Sequence, residues 1–298
     1  MAYYYGTSGS DYETGTFYAD VFYMYGGDDT VDAKNGDDYV SAGSGSDTIY
    51  GGDGDDEIEG GGDRDTLYGE LGDDTLYGGA GDDDIIGGLE NDQMYGGDGN
   101  DRFFVDGNAG WDSFSGGSGT DQILLNDLNP YALWGEIKID YLNSIERIAN
   151  NDLGEDVDIL ADGYLDLSNV EVDGIRQIVG SSGADTIIGT SNASSSSLDD
   201  TIDGKGGNDT LAGGDGDDSL TGGSGADTFV FGAAEGSDVI EDFADGVDLI
   251  DLGGTSANGI GDLSISDTGS GTDIYIDGTL IEVVGIASSA LDSSDFLF

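Results

Sequence analysis

An aspartate returns every nine residues. From Asp20 the chain carries Asp29, Asp38, Asp47, Asp56, Asp65, Asp74, Asp83, Asp92 and Asp101 without a miss. Two residues after each lies an apolar side chain: Phe22, Val31, Val40, Ile49, Ile58, Leu67, Leu76, Ile85, Met94 and Phe103. Acidic residues number 64 of 298, so an unbroken run in one phase is no accident of composition. The register slips by two at Val105 and Asp106, then resumes with Asp112/Phe114 and Asp121/Ile123. A second block holds Asp185/Ile187, Asp200/Ile202, Asp209/Leu211, Asp218/Leu220 and Asp227/Phe229. The step of 15 from Asp185 to Asp200 marks SNASSSS at 191–197 as an inserted loop. A short fixed period signals a stacked repeat, in which no unit can bury its apolar face alone.

Each unit reads as a glycine-rich turn, the aspartate, and a three-residue strand whose middle side chain points inward. Glycine fills 56 positions and proline one. A flexible linker would carry more proline and serine and fewer Ile, Leu, Val and Tyr. Here glycine suits turns that need positive φ and a close approach of backbone to a ligand. Seven basic residues oppose the 64 acids, a formal charge of −57. Such a chain repels itself and should not compact unless a counter-ion joins it. Cysteine and histidine are absent. That removes disulfides, thiolate metal sites, the commonest general base and the usual transition-metal ligand. Nucleic acid is not an expected partner, because its phosphates would be repelled. No apolar run is long enough for a transmembrane segment.

GGDGDDEIE at 51–59, GGAGDDDII at 78–86 and GGDGDDSLT at 213–221 resemble the G-G-x-G-x-D-x-U-x nonapeptide of RTX (repeats-in-toxin) proteins. The resemblance covers about 6–124 and 180–230. It implies an all-β fold: a parallel β-roll with two nonapeptides per coil, in two blocks, with a C-terminal β-rich cap. It also implies calcium, with multiple ions held between successive coils. Units 18 residues apart would then share an edge. Asp38, Asp56, Asp74 and Asp92 would form one column, and Asp47, Asp65, Asp83 and Asp101 the other. Asp29, Asp112, Asp121, Asp185, Asp200, Asp209, Asp218 and Asp227 are the further expected ligands.

The resemblance implies how an ion is held. Carbonyls of Gly52 and Gly54 would join the Asp56 carboxylate, and the next coil would add the carbonyls of Gly69 and Leu71 and the side chain of Asp74. Gly43 and Gly45, Gly79 and Gly81, Gly97 and Gly99, and Gly214 and Gly216 hold the matching places in other turns. Electrostatics points the same way. Like charges ~5 Å apart repel by roughly 3 kcal/mol at an effective dielectric of about 20. Calcium, a hard ion taking roughly six to eight oxygens in irregular geometry, reverses the sign of that interaction. Asp53, Asp55, Asp73 and Asp82 read as a solvated field that raises local calcium rather than as ligands. Glu70 and Lys205 replace the second glycine, and Asp63 and Glu90 the fourth-position glycine. Backbone strain or weaker metal binding is expected at those turns. The unit at 6–14 has Glu13 in the apolar place and reads as a degenerate cap.

These marks divide the chain into five parts. They are an N-terminal cap with degenerate repeats (1–23), a first roll (24–124), a diverged β connector (125–179), a second roll (180–230), and a C-terminal cap and secretion-signal region (231–298). The connector, with EIKID, YLDLS and the aligned SIERIAN and GIRQIVG, reads as diverged solenoid or as a separate ligand-binding insert. Trp111 and Trp134 would probe the insert. SDVIEDFADGVDLIDL resembles segments that close RTX rolls, where Asp238, Asp242, Asp245 and Asp248 could add ligands. DIYIDGTLIEV sets Asp277–Gly278 between alternating apolar residues and predicts a hairpin. ALDSSDFLF resembles the acidic-then-hydrophobic ends of RTX substrates of type I secretion. MAYYYGTSGS lacks the basic and apolar regions of a Sec-type signal peptide. The expectation is a secreted, extracellular or cell-surface protein that passes the type I secretion machinery unfolded and folds on calcium outside.

Tyr50, Tyr68, Ile86 and Phe104 should form one ladder, and Tyr77 and Tyr95 a second. These either pack across strands or present a self-association or glycan-contacting face. RTX proteases, lipases and epimerases carry their catalysis in a separate domain. Without His or Cys only a carboxylate pair remains for chemistry. An EF-hand is excluded, because DGDD lacks the closing glutamate and flanking helices. The expected function is therefore non-enzymatic: a structural component of a surface layer, matrix, adhesin or self-assembling filament, with a homo-oligomer or filament as partner. The other reading is an extracellular carbohydrate-active enzyme or glycan-binding module using a carboxylate site.

Overall fold

Strands mostly of three to six residues, with few inward positions each, leave little choice but to stack. A computed structural model describes residues 1–105, 110–125, 136–145, 147–150, 157–173, 175–191 and 199–298. Trp134, Asp106 and 192–197 of the inserted loop lie outside the described residues. The chain forms two compact units, Met1–Glu155 and Asp156–Phe298. The described part of the 125–179 connector is divided between them.

In the first unit, alternate strands go to two parallel sheets. Tyr39–Ser44, Glu57–Gly62, Thr75–Ala80 and Gln93–Asp98 run in one. Thr30–Asn35, Thr48–Asp53, Thr66–Leu71 and Asp84–Leu89 run in the other. Partners lie 18 residues apart, as in Val40↔Ile58 and Ile49↔Leu67. After Asp101 the offset becomes 20, with Met94↔Phe114 and Phe103↔Ile123, which absorbs the slip seen at Val105. Glu136–Asn143 and Arg147–Asn150 continue the two sheets with parallel pairing.

The repeated apolar residue is the core. Val40, Ile49, Ile58, Leu67, Leu76 and Ile85 all have 0% exposure. The first-position residue of the following turn, mostly glycine, points to the same side, so the core is about one large side chain wide per strand. On the outer faces, Tyr50 stacks on Tyr68 at 4.8 Å and Tyr77 on Tyr95 at 4.9 Å between ring centroids.

In the second unit, Thr186–Ile188, Thr210–Ala212, Thr228–Gly232 and Leu249–Gly254 stack in parallel. Thr201–Asp203, Ser219–Thr221 and Ser237–Ile240 do the same in the other sheet. Thr279–Val284 extends that sheet and folds back on Gly271–Ile276 as an antiparallel hairpin. Its turn residues Asp277 and Gly278 have φ of 51° and 96°, the paired positive φ that an Asp-Gly turn supplies. Among the described residues no helix is long and apolar enough to cross a membrane.

Candidate metal centres in the turns

Every column aspartate is a strand-entry residue, and stacking buries it. Asp38, Asp47, Asp56, Asp65, Asp74, Asp83, Asp92 and Asp101 are each at most 3% exposed. One oxygen of each has a partner in the coil before it. The backbone N–H of Asp47 donates to Oδ1 of Asp65 at 2.8 Å, and that of Asp65 to Oδ1 of Asp83 at 2.8 Å. The other column repeats this from Asp38 to Asp56 at 2.7 Å and from Asp56 to Asp74 at 2.8 Å. The ladder continues through Asp92 to Asp112 and Asp101 to Asp121. In the second unit it runs from Asp209 to Asp227 and from Asp227 to Asp248 in one column, and from Asp218 to Asp238 in the other.

The second oxygen is different. Oδ2 of Asp29, Asp38, Asp47, Asp56, Asp65, Asp74, Asp83, Asp92, Asp101, Asp209, Asp218 and Asp238 is buried with no hydrogen-bond partner. A buried carboxylate oxygen without a donor is a large desolvation penalty that native folds avoid. Lys34, Arg64, Arg102 and Lys205 do not relieve it: they pair with the strand residues Asp32, Asp84 and Asp203.

Backbone oxygens converge on the same spot. A Cβ placed on Gly60 would lie 2.5 Å from Oδ2 of Asp65 and 2.8 Å from the carbonyl of Gly78 in the next coil. The same point at Gly51 brings together Asp56 Oδ2 and the carbonyl of Gly69, and at Gly204 those of Asp209 and Gly222. A first-position side chain here would occupy the cradle between a carboxylate and a carbonyl. That is why the first position is glycine from Gly51 to Gly96.

The second and fourth positions shape the turn. Gly43, Gly52, Gly79, Gly97 and Gly214 have φ between 98° and 119°, and Gly45, Gly54, Gly81, Gly99 and Gly216 between 119° and 148°. Glu70, Lys205, Asp63 and Glu90 hold the same positive sign, at 81°, 69°, 74° and 81°. Side chains there have moved toward the ordinary left-handed well, which carries a steric penalty glycine escapes. Tyr25 at 72° and Lys34 at 91°, also non-glycine residues at the second position, belong to this group too. The Leu71 carbonyl accepts the N–H of Gly54 at 2.8 Å, and the Gly69 carbonyl lies beside the same point as the Asp56 carboxylate.

Burial pushes the carboxyls of Asp56, Asp65, Asp92 and Asp218 up to about 8. Asp38, Asp74 and Asp101 reach about 7, and Asp47, Asp83 and Asp238 about 6. The backbone N–H on Oδ1 opposes the rise, and neighbouring aspartates add to it. Columns of this kind hold their charge only with a cation beside them.

The fifth-position residues, read from sequence as a solvated field, form a second ladder. Asp73 N–H donates to Oδ1 of Asp55 at 3.1 Å, Asn91 N–H to Asp73 at 2.9 Å and Asn100 N–H to Asp82 at 2.8 Å. The signal in the sequence was the preference for short polar side chains at that position, which cap backbone N–H groups. In the cap, Asp238 and Asp248 continue the columns, whereas Asp242 accepts the N–H groups of Gly222 and Gly223, both at 2.8 Å.

Stacked turns that offer buried carboxylate and carbonyl oxygens, and no nitrogen or sulfur, define a parallel β-roll of the calcium-binding class. The family model described as RTX calcium-binding nonapeptide repeat (4 copies) matches residues 5–40, 32–67, 41–76, 68–103, 104–123, 177–193 and 194–229. These matches span more than half of the chain, and it belongs to that family. Among solved structures, the crystal structure of extracellular lipase LipA from Serratia marcescens is similar, at 18% identity and a TM-score of 0.28. That match covers 75% of this chain and 40% of the lipase chain. A search of the curated proteins finds no match. RTX nonapeptide repeats bind calcium, several ions to an array. The residues present fit that ion: hard oxygen donors, an orphaned carboxylate oxygen in each turn, and a glycine cradle. Asp65 with the Gly78 carbonyl, and Asp56 with that of Gly69, are the pairs that would hold it.

Proposed function

We infer that the chain is a secreted, non-enzymatic calcium-folded module, a structural component of a surface layer, matrix, adhesin or filament. The observation that carries this reading is the series of buried Oδ2 atoms without a donor in both units. A fold with so many unmet charges is unstable in cytosol-like calcium and stable where calcium is millimolar, which suits export unfolded and folding outside. With sites of ~10⁻⁴ M in millimolar calcium, each ion contributes about 1.4 kcal/mol, and on the order of ten sites supply the stability of an ordinary domain. Asp29, Asp38, Asp47, Asp56, Asp65, Asp74, Asp83, Asp92, Asp101, Asp209 and Asp218 are the carboxylates assigned to this role, and Asp238 joins them.

The glycan-contacting alternative draws least support from the tyrosine ladders. Tyr50 lies at 6° to Tyr68 and Tyr77 at 11° to Tyr95, so the rings cover one another's faces. A sugar ring stacks on an exposed aromatic face, and in each stacked pair one face of each ring is already taken by the other. Glu57 and Glu59, which line a surface depression with Tyr77, are the carboxylates that reading would draw on there.

The test is far-UV circular dichroism of the full chain with chelator and with millimolar calcium. A disordered spectrum in chelator that converts to β with calcium is expected. A β spectrum unchanged by chelator sinks the reading. Light scattering in calcium then addresses assembly, where a strict monomer counts against the filament version.

A further inference from the structure

Five of the stacked aspartates are closed by a backbone N–H of their own turn: Asp248, at the far end of its column, by that of Ala244 alone at 2.7 Å, and four others with a hydroxyl beside it. In the turns of Asp11, Asp20, Asp185 and Asp200, the second position holds Thr7, Thr16, Ser181 and Thr190. In each, that residue's own backbone N–H donates to Oδ2 of the aspartate, at 2.6, 2.8, 2.7 and 2.6 Å. The three threonine hydroxyls donate to the same oxygen at 2.8, 2.7 and 3.0 Å, and Ser181 Oγ reaches Oδ1 of Asp185 at 3.4 Å. None of these second-position residues has positive φ, and neither do Gly9, Tyr18 and Gly183 at the fourth position.

The scaffold therefore carries two kinds of turn. With positive φ at the second position, Oδ2 is left without a donor and carbonyls gather around it. With ordinary φ and a hydroxyl, an N–H and an O–H meet the carboxylate instead. Two donors put partial positive charge where a cation would otherwise be drawn, and leave no buried carboxylate oxygen unmet. The carbonyl from the next coil still approaches, as Gly204 does toward Asp185, so the difference lies in the donors.

Their placement is regular. The two turns stand first in each run of repeats, one per column. Asp11 N–H donates to Asp29 at 2.7 Å and Asp20 N–H to Asp38 at 2.5 Å. In the second run Asp185 N–H donates to Asp209 at 2.8 Å and Asp200 N–H to Asp218 at 2.7 Å.

We propose that these four turns are calcium-independent closures, which hold the first coil of each run without metal and present an ordered edge to the first cation-dependent coil. This rests on the reading that the turns with an orphaned Oδ2 hold calcium. It removes Asp185 and Asp200 from the expected ligands.

Crystals of the full chain grown in calcium and soaked in terbium test it by anomalous scattering. Peaks are expected beside Asp38, Asp56, Asp65 and Asp218, and none in the turns of Asp11, Asp20, Asp185 and Asp200. A peak in any of those four overturns the proposal and leaves the calcium reading standing. No peak at any turn overturns both. In solution, native mass spectrometry counts calcium ions per chain: Asp20→Asn should keep the count, and Asp65→Asn should lower it by at least one. Loss of an ion in Asp20→Asn overturns the closure.

Discussion

Asp65→Asn should change the sign of its effect with the solution. Asparagine keeps an acceptor for the Asp47 N–H now bound at 2.8 Å, and puts a neutral amide where Oδ2 stands. In chelator this removes a carboxyl whose pKa burial pushes from 3.8 up to about 8, with Asp47 and Asp83 adding to the rise, and which must therefore take up a proton to fold at pH 7. Linkage from the unfolded value to pH 7 gives roughly 4 kcal/mol as an upper bound, and the higher effective dielectric of a real protein site brings it to about 2 kcal/mol of stabilisation. In calcium the same change removes a ligand. One ion contributes about 1.4 kcal/mol at ten times its Kd, and exchanging a charged for a neutral acceptor weakens the Asp47 bond by about 1 kcal/mol. The variant should then be less stable by about 2 kcal/mol. Urea melts in millimolar calcium and trimethylamine-oxide-induced folding in chelator, both followed by circular dichroism, measure the two arms. Equal destabilisation in both would refute the argument, since it would make Asp65 a packing and hydrogen-bonding residue and not a charge that needs a cation.

Three further outcomes follow from the turns. Asp56, Asp65, Asp92 and Asp218 have folded values near 8 against 3.8 in the free chain, so the metal-free fold has its full stability below about 4 and loses it as pH rises toward 8. Acidifying a chelated sample to about pH 4 should restore β-structure by circular dichroism, and a spectrum flat across that window would contradict the assignment. Gly60→Ala places a methyl 2.5 Å from Asp65 Oδ2 and 2.8 Å from the Gly78 carbonyl; it should cost about 1–3 kcal/mol in calcium and raise the calcium midpoint for folding, read by calcium titration. Glu70→Gly relieves a non-glycine residue at φ 81° and should add about 1 kcal/mol in a urea melt, with no gain expected if the turn is unstrained.

Much of this molecule is a one-dimensional problem, and that part is legible in the chain. The nine-residue period specifies a coil, the residue after next from each aspartate becomes the core from Phe22 to Phe103, and doubling the period predicts the partners Val40↔Ile58 and Ile49↔Leu67. Glu70, Lys205, Asp63 and Glu90 were readable as misplaced in glycine positions, and Asp277–Gly278 as a hairpin turn, because backbone sterics at a single residue settle those matters. The tertiary structure decided what depends on the neighbouring coil. Which oxygen of Asp65 is met and which is orphaned turns on an N–H of Asp47, 18 residues earlier. Whether Asp55, Asp73 and Asp82 are loose charge or a capping ladder turns on the N–H of the coil above. The aspartates of Thr16 and Gly60 stand alike in the repeat, yet one carboxylate is closed by its own turn and the other is not. The period fixes where each carboxylate stands; only the φ of the turn and the donors of the stacked coil determine whether its charge is already answered or still needs a metal.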